Sequence, residues 1–265
     1  MRRPPSFWIG AVLVAAFLVL AVIGPSIAPY AEADAAGDAW QPPSAEFLLG
    51  TDNLGRDVLS RLLYGTRRTI GIALSATLLS FAIGMTLGFV AAVSRGAVDQ
   101  AISRVVDVLM SIPTLIFALV VLSLLPHSTL MLVLVMAVLD STRVFRLARS
   151  VARDVAVLEF VEAARLRGEG LAWVIRREIL PNTLTPIISE FGLRFCFVIL
   201  FLSALSFLGL GIQPPQADWG GMVRENANAL GFGLFMPLIP AAAIVLLTVS
   251  VNLLVDWQLA RRLRR

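Results

Sequence analysis

Long uncharged runs broken by short charged stretches set the pattern of this chain. Residues 7–28, 69–93 and 230–255 each pass more than twenty positions without Asp, Glu, Lys, Arg or His. A helix needs about 20 predominantly apolar residues to span the hydrocarbon core of a bilayer. A further stretch, residues 108–139, would be about 48 Å long as one helix, too long for one ordinary crossing. Pro126-His127-Ser128 supplies a turn inside it. The pattern predicts an all-α membrane protein with about six transmembrane helices, near residues 7–28, 69–93, 101–125, 129–146, 184–208 and 235–255. The first run follows Arg2-Arg3 but exceeds the 7–15 apolar residues of a signal peptide, and Gly24-Pro25-Ser26 is a poor cleavage context, so it reads as a retained helix.

The arginines orient the spans. With the N-terminus inside, sixteen Arg fall on inner segments and five on outer ones (Arg56, Arg61, Arg67, Arg68 and Arg224), while Arg194 lies within the fifth span. That is the positive-inside bias, and it puts both termini in the cytoplasm. It also accounts for the excess of basic residues without any nucleic-acid partner. The chain divides into residues 1–68 (first helix plus outer loop), 69–258 (the main membrane domain, with a charged inner loop at 147–183) and a basic tail at 259–265.

Composition narrows the chemistry. Only 15% of residues are charged, against about 25% in soluble domains. There is no Lys, so the chain cannot hold a P-loop, whose Lys reaches the terminal phosphates. One Cys (Cys196) and one His (His127) allow neither an internal disulfide nor a zinc site built from several such ligands. No nucleophile sits with a base, so no catalytic residue is assigned and no cofactor or metal is expected on this chain. "TDNLGRD" (51–57) has three oxygen donors, Asp52, Asn53 and Asp57, but Leu54 and Gly55 break calcium-loop spacing, which leaves a structured outer turn. Glu190 and Arg194, four apart on one helix face, are either a structural ion pair or lining of a translocation path. Asp107, Asp140 and Asp256, each with an Arg within about five residues, read as anchors and local ion pairs at inner span ends. Trp8, Trp40, Trp219 and Trp257 read as aromatics at the membrane interface.

The charged loop carries the most specific signal. "FVEAARLRGEGLAWVIRREILPN" (160–182) predicts a helix, a break at Gly168, then a second helix over 171–179 ended by Pro181. Glu162-Ala163-Ala164, Gly168 four residues on, then Leu180-Pro181 resemble the EAA loop of permease subunits of binding-protein-dependent ABC importers. "LLGTDNLGRDVLSRLLYGTRRTI" (48–70), "LPNTLTPII" (180–188) and "LSFLGLGIQPPQADWGGM" (205–222) are similar to the C-type permease of the dipeptide/oligopeptide/nickel branch. Two positions depart from the family: Glu178 stands where it has an apolar residue, with Ile179 beside it, and Phe201-Leu202-Ser203 stand where related chains often carry an acid.

The resemblance implies a MetI-like permease bundle in a prokaryotic cytoplasmic (inner) membrane, forming half of a translocation pathway beside a paralogous permease. It implies two P-loop ATPase subunits that bind ATP and Mg and grip a coupling loop made of Glu162, Ala163, Ala164, Gly168, Leu180 and Pro181. It implies an extracytoplasmic binding protein that delivers a peptide or related small solute. A self-sufficient secondary transporter is the alternative, and it would be expected to show internal repeats and polar interruptions at mid-membrane.

Overall fold

The computed structural model describes residues 4–94 and 96–263, with side chains through residue 260. Arg2, Arg3, Arg95, Arg264 and Arg265, and the side chains of Arg261 and Arg262, all counted above as inner-side charges, lie outside the described residues.

Ten α-helices make up the described chain: α1 (Pro5–Ile27), α2 (Val58–Ser94), α3 (Gly96–Ser111), α4 (Thr114–Leu124), α5 (Thr129–Ala156), α6 (Glu159–Leu166), α7 (Leu171–Val174), α8 (Leu180–Phe207), α9 (Trp219–Glu225) and α10 (Leu238–Leu263). Among the described residues the only β-pairing is two isolated bridges, Ala35 with Arg56 and Thr51 with Asp57. Four helical runs are long and apolar enough to cross a membrane: Pro5–Ile27, Val58–Ser94, Leu171–Phe207 and Leu238–Ala260. Counting the bent pair α3/α4 as one crossing makes five.

The expected third span, 101–125, is therefore not one straight helix. Its two halves meet at 88°, because Pro113 has no N–H to donate and pushes Ile112 out of helical geometry. The predicted turn at Pro126-His127-Ser128 is present, and Ser128 caps α5 by accepting from the Met131 N–H (3.2 Å). The fourth expected span starts there but runs ten residues past Arg146, to Ala156.

α2 and α5 form the central seam. A Cβ added at Gly84 would lie 2.6 Å from Val144 Cβ and 2.7 Å from the Ser141 carbonyl, and one at Gly88 would lie 2.8 Å from Ala148 Cβ. Gly84-x-x-x-Gly88 is thus a small-residue notch into which α5 settles, the usual route to close helix contact in lipid. α1 lies along the outside against α10 and α2, with Gly10 against the Ser250 carbonyl and Gly24 against Leu63.

Segments 28–57 and 209–237 close the end of the bundle opposite α6. Their centre is a buried ring of four charges. Asp52 accepts from Arg56 Nε (2.7 Å), and Glu225 accepts from Arg56 Nη2 (2.6 Å) and Arg61 Nη2 (2.8 Å). Arg61 Nη1 lies 3.4 Å from Asp52 and completes it. Asp57 caps α2 through the Ser60 N–H (2.8 Å), so "TDNLGRD" is the structured turn expected. Glu32 bridges the two segments by pairing with Arg68 and accepting from the Ala217 N–H. Trp219, expected at the interface, is instead fully buried. Its backbone N–H donates to Thr69 Oγ1 (3.2 Å) and its ring meets Phe17 of α1. Next to it Asp218 caps α9, and burial pushes its carboxyl up to about 6.

Two predictions follow from this packing. Gly84→Ala should lower the thermal midpoint of the detergent-solubilised chain by the equivalent of about 1–3 kcal/mol of overpacking, whereas Gly71→Ala, whose Cβ meets nothing within 4 Å, should not; equal midpoints would refute the seam. Because folding raises the Asp218 pKa, the folded state holds that proton longer than the unfolded chain. Its contribution is therefore full below about pH 4, declines as pH rises through about 6 and is then lost, by about 2–3 kcal/mol in all. Asp218→Asn should flatten that part of the stability profile; a variant profile parallel to the parent's between pH 4 and 7 would rule the effect out.

Candidate functional site

The residues singled out in the charged loop sit on a compact helix-turn-helix joined to α5 and α8. In α6, Val161 and Ala164 are three apart and both fully buried, and Val161 belongs to one apolar cluster with Phe89 and Val93 of α2 and Ala152 and Val155 of α5. Burying a side chain the size of Val is worth about 1.5–3 kcal/mol, which holds α6 down. The other face stays open: Glu162 and Ala163 are exposed, and Leu166 is 85% exposed beside exposed Val157, Leu158 and Phe160. Of Glu162-Ala163-Ala164, then, only Ala164 faces the bundle.

The turn is a left-handed helix stop. Gly168 has φ +84°, and the N–H groups of Arg167, Gly168 and Glu169 donate back to the Ala163, Arg165 and Ala164 carbonyls. A side chain at Gly168 would meet nothing within 4 Å, so this glycine is required by its backbone angle and not by crowding.

Pro181 does not end the second helix, contrary to the sequence expectation. α7 passes through a π-helical turn (Ile175–Ile179) straight into α8, and Pro181 sits in the first turn of α8. The Leu180 N–H reaches back to the Ile175 carbonyl, and Asn182 Nδ2 donates to the Glu178 carbonyl (2.6 Å). The extra residue in that turn shifts the backbone pairing, so a ring without an N–H is accommodated. Leu180 is half-buried and Pro181 is exposed. The apolar need of this segment is met by Ile179, fully buried, and not by Glu178.

A second group lies halfway along the bundle. Arg194 is 14 residues from the start of α8, about 21 Å. Its Nε is 2.8 Å from Glu190, as the i,i+4 spacing predicts. Its Nη1 also lies 3.6 Å from Asp140 on α5. Asp140 is therefore no anchor at a span end: it is buried 11 residues into α5, about 16 Å, because that helix does not stop at Arg146. Ser80 of α2 donates to its second oxygen (3.1 Å), and Arg143 lies 4.0 Å away. Phe197 carries both guanidiniums over its ring, Arg143 at 4.4 Å and Arg194 at 5.5 Å. The structure thus joins Glu190 and Arg194 to three residues the sequence reading did not connect with them: Ser80, Asp140 and Arg143.

Toward the α6 end, Asp99 of α3 clasps Arg149 and Arg153 of α5, with Arg149 Nη2 at 2.8 Å. Asp107 pairs with Arg146 (2.8 Å) across the same two helices, and not with Arg104 nearby in sequence. These contacts position α3 against the outer side of α5.

Among the described residues this arrangement brings no nucleophile to a base. It offers a membrane bundle, a rigid surface loop and a buried polar layer. Residues 84–265 match the family described as binding-protein-dependent transport system inner membrane component. The chain is 33% identical to a di/tripeptide transport system permease protein of Pseudomonas aeruginosa, over 89% of this chain and 80% of that protein. It is 35% identical to a putative peptide transport system permease protein of Brucella suis, over 97% of this chain and 86% of the relative. It is 31% identical to a dipeptide transport system permease protein of Haemophilus influenzae, over 94% and 86% respectively. With the matched region covering α5 to α10 and the whole loop, this multi-pass chain belongs to the family of binding-protein-dependent transport system inner membrane components.

Proposed function

We propose that the chain is a permease subunit of an ATP-driven importer of di- or oligopeptides in a prokaryotic cytoplasmic membrane, crossing it six times with both termini inside. The reading is carried by one observation: relatives named for peptide transport align along 89–97% of the chain. In this reading the bent pair α3/α4 is the third crossing and the α4-proximal half of α5 opens the fourth. The chain supplies half of the pathway and a paralogous permease the other half. Two P-loop ATPase subunits bind ATP and Mg, and an extracytoplasmic binding protein delivers the peptide to the cap formed by segments 28–57 and 209–237. The chain itself catalyses no reaction.

Coupling runs through the loop. The exposed face of α6, with Glu162, Ala163 and Leu166, docks against an ATPase subunit, while Ala164 and Val161 fix the helix to the bundle. Gly168 sets the turn between the two arms, and Leu180 and Pro181 lie where the second arm enters α8. A rigid helix moved at one end carries the displacement to its other end, which is what alternation between inward- and outward-open states requires.

Purification of the tagged chain from its native membrane in mild detergent tests the assembly. A second permease and P-loop ATPase subunits in stoichiometric amounts are the expected companions; a chain that comes alone, even after cross-linking through residues 162–181, points to a self-sufficient transporter. Gly168→Asp places a charge in open space on the docking side and a side chain on a left-handed backbone, so it should leave insertion intact and lower the thermal midpoint by the equivalent of only about 1–2 kcal/mol while abolishing peptide uptake and stimulated ATP hydrolysis. Normal uptake by this variant would remove the loop from the coupling path.

A further inference from the structure

The polar layer differs from the other buried charge cluster in a way that points to movement. In the cap the short contacts join the two segments, Arg56 and Arg61 reaching Glu225 at 2.6 and 2.8 Å, and Arg61 Nη1 closes the ring 3.4 Å from Asp52. At mid-bundle the contact between helices is looser, with Arg194 Nη1 3.6 Å from Asp140, while Arg194 is held at 2.8 Å by Glu190 on its own helix. Asp140 likewise has a partner on its own helix in Arg143, at 4.0 Å. Asp140 Oδ1 and Arg143 Nη1 are buried without a hydrogen bond, as Arg61 Nη1 is in the cap. What sets the layer apart is that its closest pair lies within one helix and its contact between helices is the long one.

We infer that Asp140 and Arg194 form a latch between α5 and α8 that opens and closes during transport, and that Arg143 and Glu190 are positioning residues which take up the two charges when it opens. The inference rests on the importer reading above. Opening the latch separates Asp140 from Arg194 but leaves two intrahelical pairs, Asp140 with Arg143 and Glu190 with Arg194. Each is electroneutral, so no lone charge is stranded at membrane depth, where an unpaired Asp or Arg is costly. Phe197 lies under both guanidiniums and keeps them solvated by its ring face during the exchange. The location is apt as well. α5 ends three residues before α6, and α8 continues α7 through the π-turn, so any displacement of the loop reaches these two helices first.

The test uses the full complex in proteoliposomes. Asp140→Asn with Arg143→Gln leaves the Glu190–Arg194 pair; Glu190→Gln with Arg194→Gln leaves the Asp140–Arg143 pair. Both double variants are electroneutral. As latch mutants they should assemble, hydrolyse ATP, and lose peptide uptake per ATP on the order of tenfold or more. A merely structural layer predicts uptake per ATP equal to the parent's in both, and that result overturns the proposal. Glu190→Gln alone keeps the latch but removes one fallback, so opening strands Arg194; the expected result is intact assembly with slowed turnover, and parental turnover counts against the latch even if the double variants fail to assemble. Spin labels at Leu134→Cys on α5 and Leu200→Cys on α8, in a Cys196→Ser background, read the movement without substrate. The interhelix distance should shift with ATP in the parent and stay fixed in Glu190→Gln; a parent whose distance never shifts refutes the latch. Failure of the parent complex to import peptide, with the distance shift intact, would instead refute the peptide reading.

Discussion

Helices in lipid gain nothing by hiding apolar surface from one another, since the acyl chains are as apolar as a leucine side chain. Close fit and polar pairing must hold them together. In this protein both are concentrated where α2 meets α5. Gly84 and Gly88 let α5 approach until its Ser141 and Phe145 carbonyls touch α2, and that approach brings Ser80 to Asp140. The remaining architecture is arranged around this seam: α8 presents Arg194 to it from one side, and α6 is pinned to its end by Val161 and Ala164. The notch and the polar layer are one device, because a bulkier α2 would pull the carboxylate of Asp140 out of reach of its partners.

The loop is held at both ends. Each end is helical and each is anchored by fully buried side chains, Val161 and Ala164 on α6, Val174 and Ile179 on the second arm. Between them lie four residues, with Gly168 at positive φ and Gly170 extended at the start of the second arm. The π-turn before Pro181 is the notable economy. The helical run from Leu171 to Phe207 stays continuous through this turn and past Pro181, and it passes Pro186 as well.

Much of this was legible in the residues. The long apolar runs gave α1, α2, α8 and α10, Pro126-His127-Ser128 gave the turn before α5, and the loop motif gave the family. What escaped had identifiable reasons. Ending the fourth span at Arg146 treated a charge as a stop, although Val144, Phe145, Ala148 and Ala152 continue the apolar face of α5 behind Arg143, Arg146, Arg149 and Arg153. Asp140 was misplaced by the same step: near an assumed helix end it looks like an anchor, and inside a longer helix it is a buried charge. The 88° bend was announced by Pro113 but masked by the uniform apolarity around it. Trp219 looked interfacial because it lies in a loop, and loop membership says nothing of which side of the bundle closes over it. The pairing of Asp140 with Arg194 depends on the packing of two helices far apart in sequence, which no local spacing encodes.

The ring in the cap has a consequence for how the molecule is made. Arg56 and Arg61 reach Glu225 across 169 and 164 residues of chain. At about 5–20 residues per second, the first cap segment waits roughly 10–30 s for the carboxylate that neutralises it. Until then two guanidiniums share Asp52 alone at the membrane rim. The cap thus cannot mature before α9 is made, and a nascent chain cut anywhere before α9 leaves it open.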